Sequence, residues 1–298
     1  MDPLVFVLVA GAAVLHVTWN VLLKTAGDPL RAATVGMATA AVVLCPTVLV
    51  VWFVVGRPTV PVETVVLSVV SGTLEAVYFA FLASAYRRGD LSLVYPLARG
   101  TAPLLAVAIG VGLLGERLGP IGFAGVACLR VGLPSLQRPW QYLRASGRAS
   151  SGAAGFALLT GVTIAAYSAV DRVGVRGTEP WIYAGLIWAS GASFLAIYAW
   201  VYRRQWAARS PEPDPASAFS PRRAAIGGLI TLGAYLLILV AFTVAPLTAV
   251  APLRESAIVL ASGWGAFRLR EAADRTEALQ RIGSAALVVL GAVLLAID

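Results

Sequence analysis

Histidine occurs once in this 298-residue chain, at His16, and cysteine only twice, at Cys45 and Cys128. One histidine excludes a His-x-x-x-His metal pair, and two isolated cysteines exclude a thiolate metal site. Gly-x-Ser-x-Gly and Gly-x-x-x-x-Gly-Lys-Ser/Thr are both missing, so neither a serine hydrolase elbow nor ATP drive has a basis here. The expectation is a protein without catalytic residues, metal or cofactor. Charge is scarce as well: 13% of residues are charged, against about 25% in soluble domains. Hydrophobic residues reach 59%, more apolar surface than a water-soluble fold can hide.

What is present is a series of apolar runs. Runs of about 20 residues match a hydrocarbon core about 30 Å thick. Divided at charges, Pro and Gly, the chain reads as ten helices near 3–24, 32–55, 63–86, 91–114, 119–136, 152–175, 181–202, 224–244, 248–268 and 278–297. Both cysteines fall inside helices and read as packing residues. The first run has no basic leader segment or small-residue cleavage site and is expected to stay as the first span. The net charge of +8 would suit nucleic acid only if it formed a soluble patch. The basic residues lie instead between apolar runs, so no nucleic-acid partner is expected. Sixteen of the 23 Lys and Arg follow the odd-numbered helices and four follow the even-numbered ones. The positive-inside rule then puts the Arg-rich side in the cytoplasm and both termini outside. The expected location is the cytoplasmic membrane, crossed many times.

The second half repeats the first. Arg99 precedes Glu116 by 17 residues and Arg254 precedes Glu271 by the same interval, while Trp19-Asn20 and Lys24 find counterparts in Tyr167-Ser168 and Arg172. The expected fold class is all-α and integral to the membrane, ten transmembrane helices as two inverted five-helix repeats. The repeats span 1–137 and 152–298, joined by a linker at 138–151. Duplication within one chain lets a monomer suffice and leaves a homodimer open.

Several groups could carry chemistry. Arg99 and Arg254 lie at membrane depth next to prolines, in Tyr95-Pro96-Leu97-Ala98-Arg99 and Ala251-Pro252-Leu253-Arg254-Glu255, and interrupted helices there would line a cavity. Two fixed positive charges converging near the midplane could clamp a phosphonate, phosphate or carboxylate. The alternative is a pair of buried salt links, Arg254 with Glu255 or Glu75 and Arg99 with Asp171. His16 and Asn20 share one face of helix 1 with Trp19 beside them, and Tyr167 answers on helix 6. Asp171 and Arg172 read as an interfacial cap of helix 6. Glu75, unmatched in the other half, Glu255 and Asp171 are coupling candidates for a proton-driven cycle. Tyr78, Tyr95, Tyr235 and Trp264 could wall the cavity.

Gly89-Asp90-Leu91-Ser92-Leu93-Val94-Tyr95-Pro96-Leu97 with Leu114-Gly115-Glu116-Arg117-Leu118 and Gly125 resembles the EamA repeat of the drug/metabolite transporter superfamily. Ala251 to Ser256, Leu269-Arg270-Glu271 and Gly283 resemble it again in the second half. The segment from Leu15 to Lys24 with Gly27-Asp28-Pro29 is similar to the branch associated with phosphonate utilisation. The resemblance implies ten helices, alternating access and movement of small metabolites, and it implies cytoplasmic termini, opposite to the charge count. The resulting expectation is a secondary transporter for a small polar or anionic metabolite, its partners being that substrate and the lipid bilayer. Arg99, Arg254, His16, Trp19, Asn20, Tyr78, Tyr95, Tyr167 and Trp264 are the expected binding residues. The rivals are a proton-coupled exporter of cationic or amphipathic compounds and a lipid-headgroup translocase.

Overall fold

The computed structural model describes residues 3–25, 27–89, 91–137, 148–206, 219–255 and 275–298. These form ten helices: α1 Pro3–Thr25, α2 Pro29–Val54, α3 Val62–Arg88, α4 Leu91–Gly112, α5 Pro120–Gln137, α6 Arg148–Gly174, α7 Pro180–Trp206, α8 Pro221–Val244, α9 Leu247–Glu255 and α10 Arg275–Ile297. A single 3₁₀ turn, Val175–Gly177, follows α6, and the described residues contain no strand.

Among the described residues six helices, α1, α2, α3, α6, α7 and α8, are long and apolar enough to cross a membrane; the apolar segments Leu97–Gly112, Pro120–Ser135 and Gly283–Ile297 are shorter. Polarity is distributed inside out. Val42, Val54, Val7 and Leu113 are 73%, 79%, 69% and 80% exposed, whereas His16, Glu75, Arg99, Asp171 and Arg254 are buried. Water would oppose that arrangement and hydrocarbon favours it, so the chain reads as membrane-embedded.

Helix starts follow local chemistry more closely than apolar periodicity does. α2 begins at Pro29, three residues earlier than periodicity places it, because Asp28 Oδ1 accepts from the Leu30 and Arg31 amides and Pro29 fits the first turn. α8 begins at Pro221 for the same reason, with Ser220 Oγ accepting from the Arg223 amide. Four residues assigned to the linker, 148–151, belong to α6. The expected interruption of α4 does not occur, and the helix runs unbroken through Pro96 and Pro103. Each proline costs one backbone bond, but α4 continues through both, packed against α6 and α9. A Cβ on Gly161 of α6 would collide with Thr101 and the Ala98 carbonyl of α4, which measures how closely the two helices approach.

The main core joins α1 to α4 with α6 to α10, and a satellite core of Val107, Leu129, Leu133, Val288 and Leu295 joins α4, α5 and α10. α1 packs on α8, α3 on α6, α2 on α7 and α8, α3 on α7, α4 on α6 and α9, and α5 on α10. Three of these crossings have glycine facing glycine: Gly36 with Gly228, Gly72 with Gly191, and Gly125 with Gly291. Gly283, the counterpart of Gly125 in the sequence alignment of the halves, meets nothing within 4 Å.

Candidate functional site

The buried polar groups collect where α1, α3, α4, α6, α7, α8 and α9 meet. Asp171, 1% exposed, is the hub. Its Oδ1 accepts from Ser71 Oγ of α3 at 2.5 Å and from the Tyr183 hydroxyl of α7 at 3.3 Å, and its Oδ2 accepts from the Tyr235 hydroxyl of α8 at 2.5 Å. The interfacial cap expected at this position is therefore corrected: α6 continues three residues past Asp171 and then adds a 3₁₀ turn, which keeps the carboxylate inside. Its neighbour Arg172 lies about 100° further round the helix. It donates to the Phe242 carbonyl at 2.8 Å and sits 3.8 Å from Glu116. Gly174 leaves the space that Tyr183 fills, since a Cβ there would strike the Tyr183 ring and hydroxyl.

Glu75, buried one turn along α3 from Ser71, is within reach of the Tyr235 hydroxyl and of the charges of Asp171 and Arg254. Arg254, 2% exposed, donates to Ser168 Oγ at 3.2 Å and stands 5.8 Å from the centre of the Tyr167 ring. Its charge also reaches Asp171 and His16. Of the expected salt links, that of Arg254 with Glu75 is represented only by electrostatic reach. The helix bearing Arg254 is set by Glu116, whose two carboxylate oxygens accept from the Leu247 and Thr248 amides at 2.8 and 2.9 Å, capping the N-terminus of α9. Glu116, in the sequence a marker of the repeat and of the EamA-like motif, is a positioning residue.

His16, Trp19 and Asn20 form the third part. Trp19 Nε1 donates to His16 Nδ1 at 3.0 Å, which fixes the imidazole with its hydrogen on Nε2. That Nε2 is buried and has no hydrogen-bond partner among the described residues. The charges of Arg99 and Arg254 both reach the His16 ring. Asn20 donates to the His16 carbonyl at 2.7 Å and accepts from the Tyr86 hydroxyl at 3.2 Å. A small cavity of about 20 Å³, bounded by Trp19, Met37, Phe79, Trp188 and Thr231, lies beside this group. It has room for about one water molecule.

The structure thus brings His16, Trp19, Asn20, Glu75, Tyr167, Asp171, Arg99 and Arg254 into one buried region. Tyr78 joins through its ring, 5.9 Å from Tyr167 and 4.9 Å from Phe79. Tyr95 and Glu255 belong to α4 and α9, but their side chains, like all of Trp264 and Glu271, lie outside the described residues. Sequence reasoning missed Ser71, Ser168 and Tyr183. Ser71 was open to it, standing four residues before Glu75 on the face that Ser68 and Thr64 extend. Tyr183 reaches Asp171 only through tertiary packing, and no local signal announces it.

No family model matches the chain, and no curated protein matches it in sequence. Among solved structures, the crystal structure of one protein is similar with a TM-score of 0.67 and 20% identity, over 99% of this chain and 96% of that one. At that identity the likeness concerns the fold alone.

Proposed function

We propose that the chain is a secondary transporter of the EamA type in the drug/metabolite transporter superfamily, moving a small anionic metabolite by alternating access between two inverted five-helix repeats. The observation that carries the reading is the His16 Nε2–H, buried without a partner among the described residues, on an imidazole reached by two arginine charges. A buried donor left unpaired costs about 1–3 kcal/mol, and an anion is the ligand that would satisfy it while using both arginines. Phosphonates, phosphates and carboxylates share that chemistry.

The helix pairings support the repeat. Exchanging α1–α5 for α6–α10 turns the α3–α6 contact into α8–α1, α3–α7 into α8–α2 and α4–α6 into α9–α1, all of which occur. The same exchange maps the crossing of Gly36 with Gly228 onto that of Gly191 with Gly72. The test is a thermal-shift screen of detergent-purified protein with methylphosphonate, inorganic phosphate, amino acids and organic cations. Ligand binding stabilises by mass action, about 2.7 kcal/mol at a hundredfold excess over Kd. Stabilisation by an anion that is lost in Arg254→Ala and Arg99→Ala supports the reading. Stabilisation by cations alone, unaffected by either substitution, overturns it.

A second reading, a proton-coupled exporter of cationic or amphipathic compounds, draws on Glu75 and Asp171 beside the rings of Tyr78, Tyr167, Tyr235 and Trp188. Aromatic faces and carboxylates together attract cations. Glu75→Gln abolishing cation-stimulated flux, with the arginine variants intact, would favour it.

A further inference from the structure

We propose that Glu75, Tyr235 and Asp171 form a buried relay holding one exchangeable proton, and that Arg254 ties the occupancy of that relay to the charge of the transported ligand. The inference rests on the anionic-substrate reading only for the sign of that charge.

Hydrogen-bond accounting carries the first half. Asp171 accepts three hydrogen bonds, all from neutral hydroxyls: Ser71 of α3, Tyr183 of α7 and Tyr235 of α8. A phenol has a single hydrogen. That of Tyr235 goes to Asp171 Oδ2, while Glu75, buried one turn along α3 from the Ser71 that donates to the same Asp171, has the Tyr235 hydroxyl within reach. Glu75 can then share the oxygen only as a donor, which makes it a carboxylic acid. If the phenol instead gives its hydrogen to Glu75, Asp171 must be the acid and donate to the phenol oxygen. Both arrangements hold one carboxyl proton for two carboxyl groups. Two ionised carboxylates sharing one dry site would repel, and such a pair titrates as a unit.

The two arrangements interconvert through the phenol. Glu75 Oε–H breaks as the proton passes to Tyr235 Oη, and the phenol's own O–H breaks as its hydrogen passes to Asp171 Oδ2. Glu75 ends as the carboxylate, Asp171 as the acid and Tyr235 as a neutral phenol, with no net charge moved off the relay and no water needed. Tyr183 extends the chain toward the loop face, three residues into α7 and about 4.5 Å from its start at 1.5 Å per residue.

Arg254 supplies the second half. The groups facing the two carboxyls are Ser71 from α3, Tyr183 from α7, Tyr235 from α8 and Arg254 from α9; Arg172 turns away to the Phe242 carbonyl and Glu116. Arg254 is hydrogen-bonded to Ser168 Oγ, one helical turn before Asp171 on α6, and its charge reaches both carboxyls. An anion seated on Arg254 and His16 offsets that charge, and the relay then binds its proton more tightly. Linkage makes the effect reciprocal: protonating the relay tightens anion binding. The product is a proton–anion symporter. A cation exporter using the same carboxyls would show the opposite sign, its ligand competing with the proton.

Infrared difference spectra of the detergent-purified protein, taken between acidic and alkaline buffer, read the relay without any ligand. We expect a carboxylic-acid C=O band that survives at neutral pH, disappears in Glu75→Gln, and persists to more alkaline buffer in Arg254→Ala. Tyr235→Phe, which keeps the ring and removes the bridge, should alter that band while leaving folding intact. A spectrum without a band removed by Glu75→Gln, or one indifferent to Arg254→Ala, overturns the proposal. Isothermal titration with methylphosphonate should then show affinity rising about 5- to 150-fold toward acid, the usual span of a coupling energy, with the slope lost in Glu75→Gln. Binding that is independent of pH overturns the proposal. If methylphosphonate, phosphate and carboxylates all fail to bind while the infrared band behaves as described, the anionic-substrate reading fails and the relay stands.

Discussion

At the scale of single residues the indole of Trp19 does two jobs. Its ring packs edge-on against Phe79, with centroids 5.8 Å apart, and its N–H fixes the tautomer of His16. Trp19→Phe keeps the first role and removes the second, leaving the imidazole free to place its hydrogen on either nitrogen. Anion affinity should fall about fivefold, the roughly 1 kcal/mol net value of one hydrogen bond, while the melting temperature in detergent changes little. An affinity unchanged by Trp19→Phe, measured by calorimetry, would show that the tautomer does not matter. The stripe of His16, Trp19 and Asn20 was legible in the sequence because polar groups spaced four apart in an apolar helix have nowhere to go but inward. Asp171 was misread for an equally physical reason. An Asp-Arg pair near a helix end resembles an interfacial cap in one dimension, and only packing shows that its two side chains diverge to different neighbours.

At the scale of helices the crossings depend on glycine. A Cβ on Gly228 would collide with the Gly36 carbonyl oxygen, whereas one on Gly233, five residues along the same helix, meets nothing closer than Leu15 at 3.7 Å. Gly228→Ala must therefore push α8 off α2, and overpacking of that kind costs about 1–3 kcal/mol. Gly233→Ala relieves backbone freedom at no steric cost and should be neutral or stabilising by up to about 1 kcal/mol. Fluorescence-detected melting of the two variants in one detergent checks the pair, and equal melting temperatures would mean that α2 and α8 are not in close contact. Helix existence was readable from apolar runs. Helix starts were readable too, from Asp28-Pro29 and Ser220-Pro221, had capping been weighed above periodicity. The glycine crossings were not, because a glycine that admits a neighbour and one that faces lipid look alike until the partner helix is known.

At the scale of the whole molecule the open question is which face points inward. The carboxylate of Asp298 accepts from the Gly119 amide at 2.7 Å, so the last helix ends at the connection between α4 and α5. That connection carries one basic residue, Arg117, while the opposite face carries Arg87, Arg88, Arg203, Arg204, Arg222 and Arg223 among others. Lys and Arg near span ends are retained in the cytoplasm, so the face bearing Asp298 should lie outside. The superfamily resemblance implies the reverse, which makes the measurement decisive between the two. Alkaline phosphatase fused after Asp298 should be active and green fluorescent protein at the same position dark. The same result would fix the direction of the relay: Tyr183 and Asp171 would face the exterior, where protons enter under an inward gradient, and the cycle would run as uptake. A dark phosphatase with a bright fluorescent fusion would place them toward the cytoplasm, and the same relay would then drive protons to the site from the wrong side for uptake.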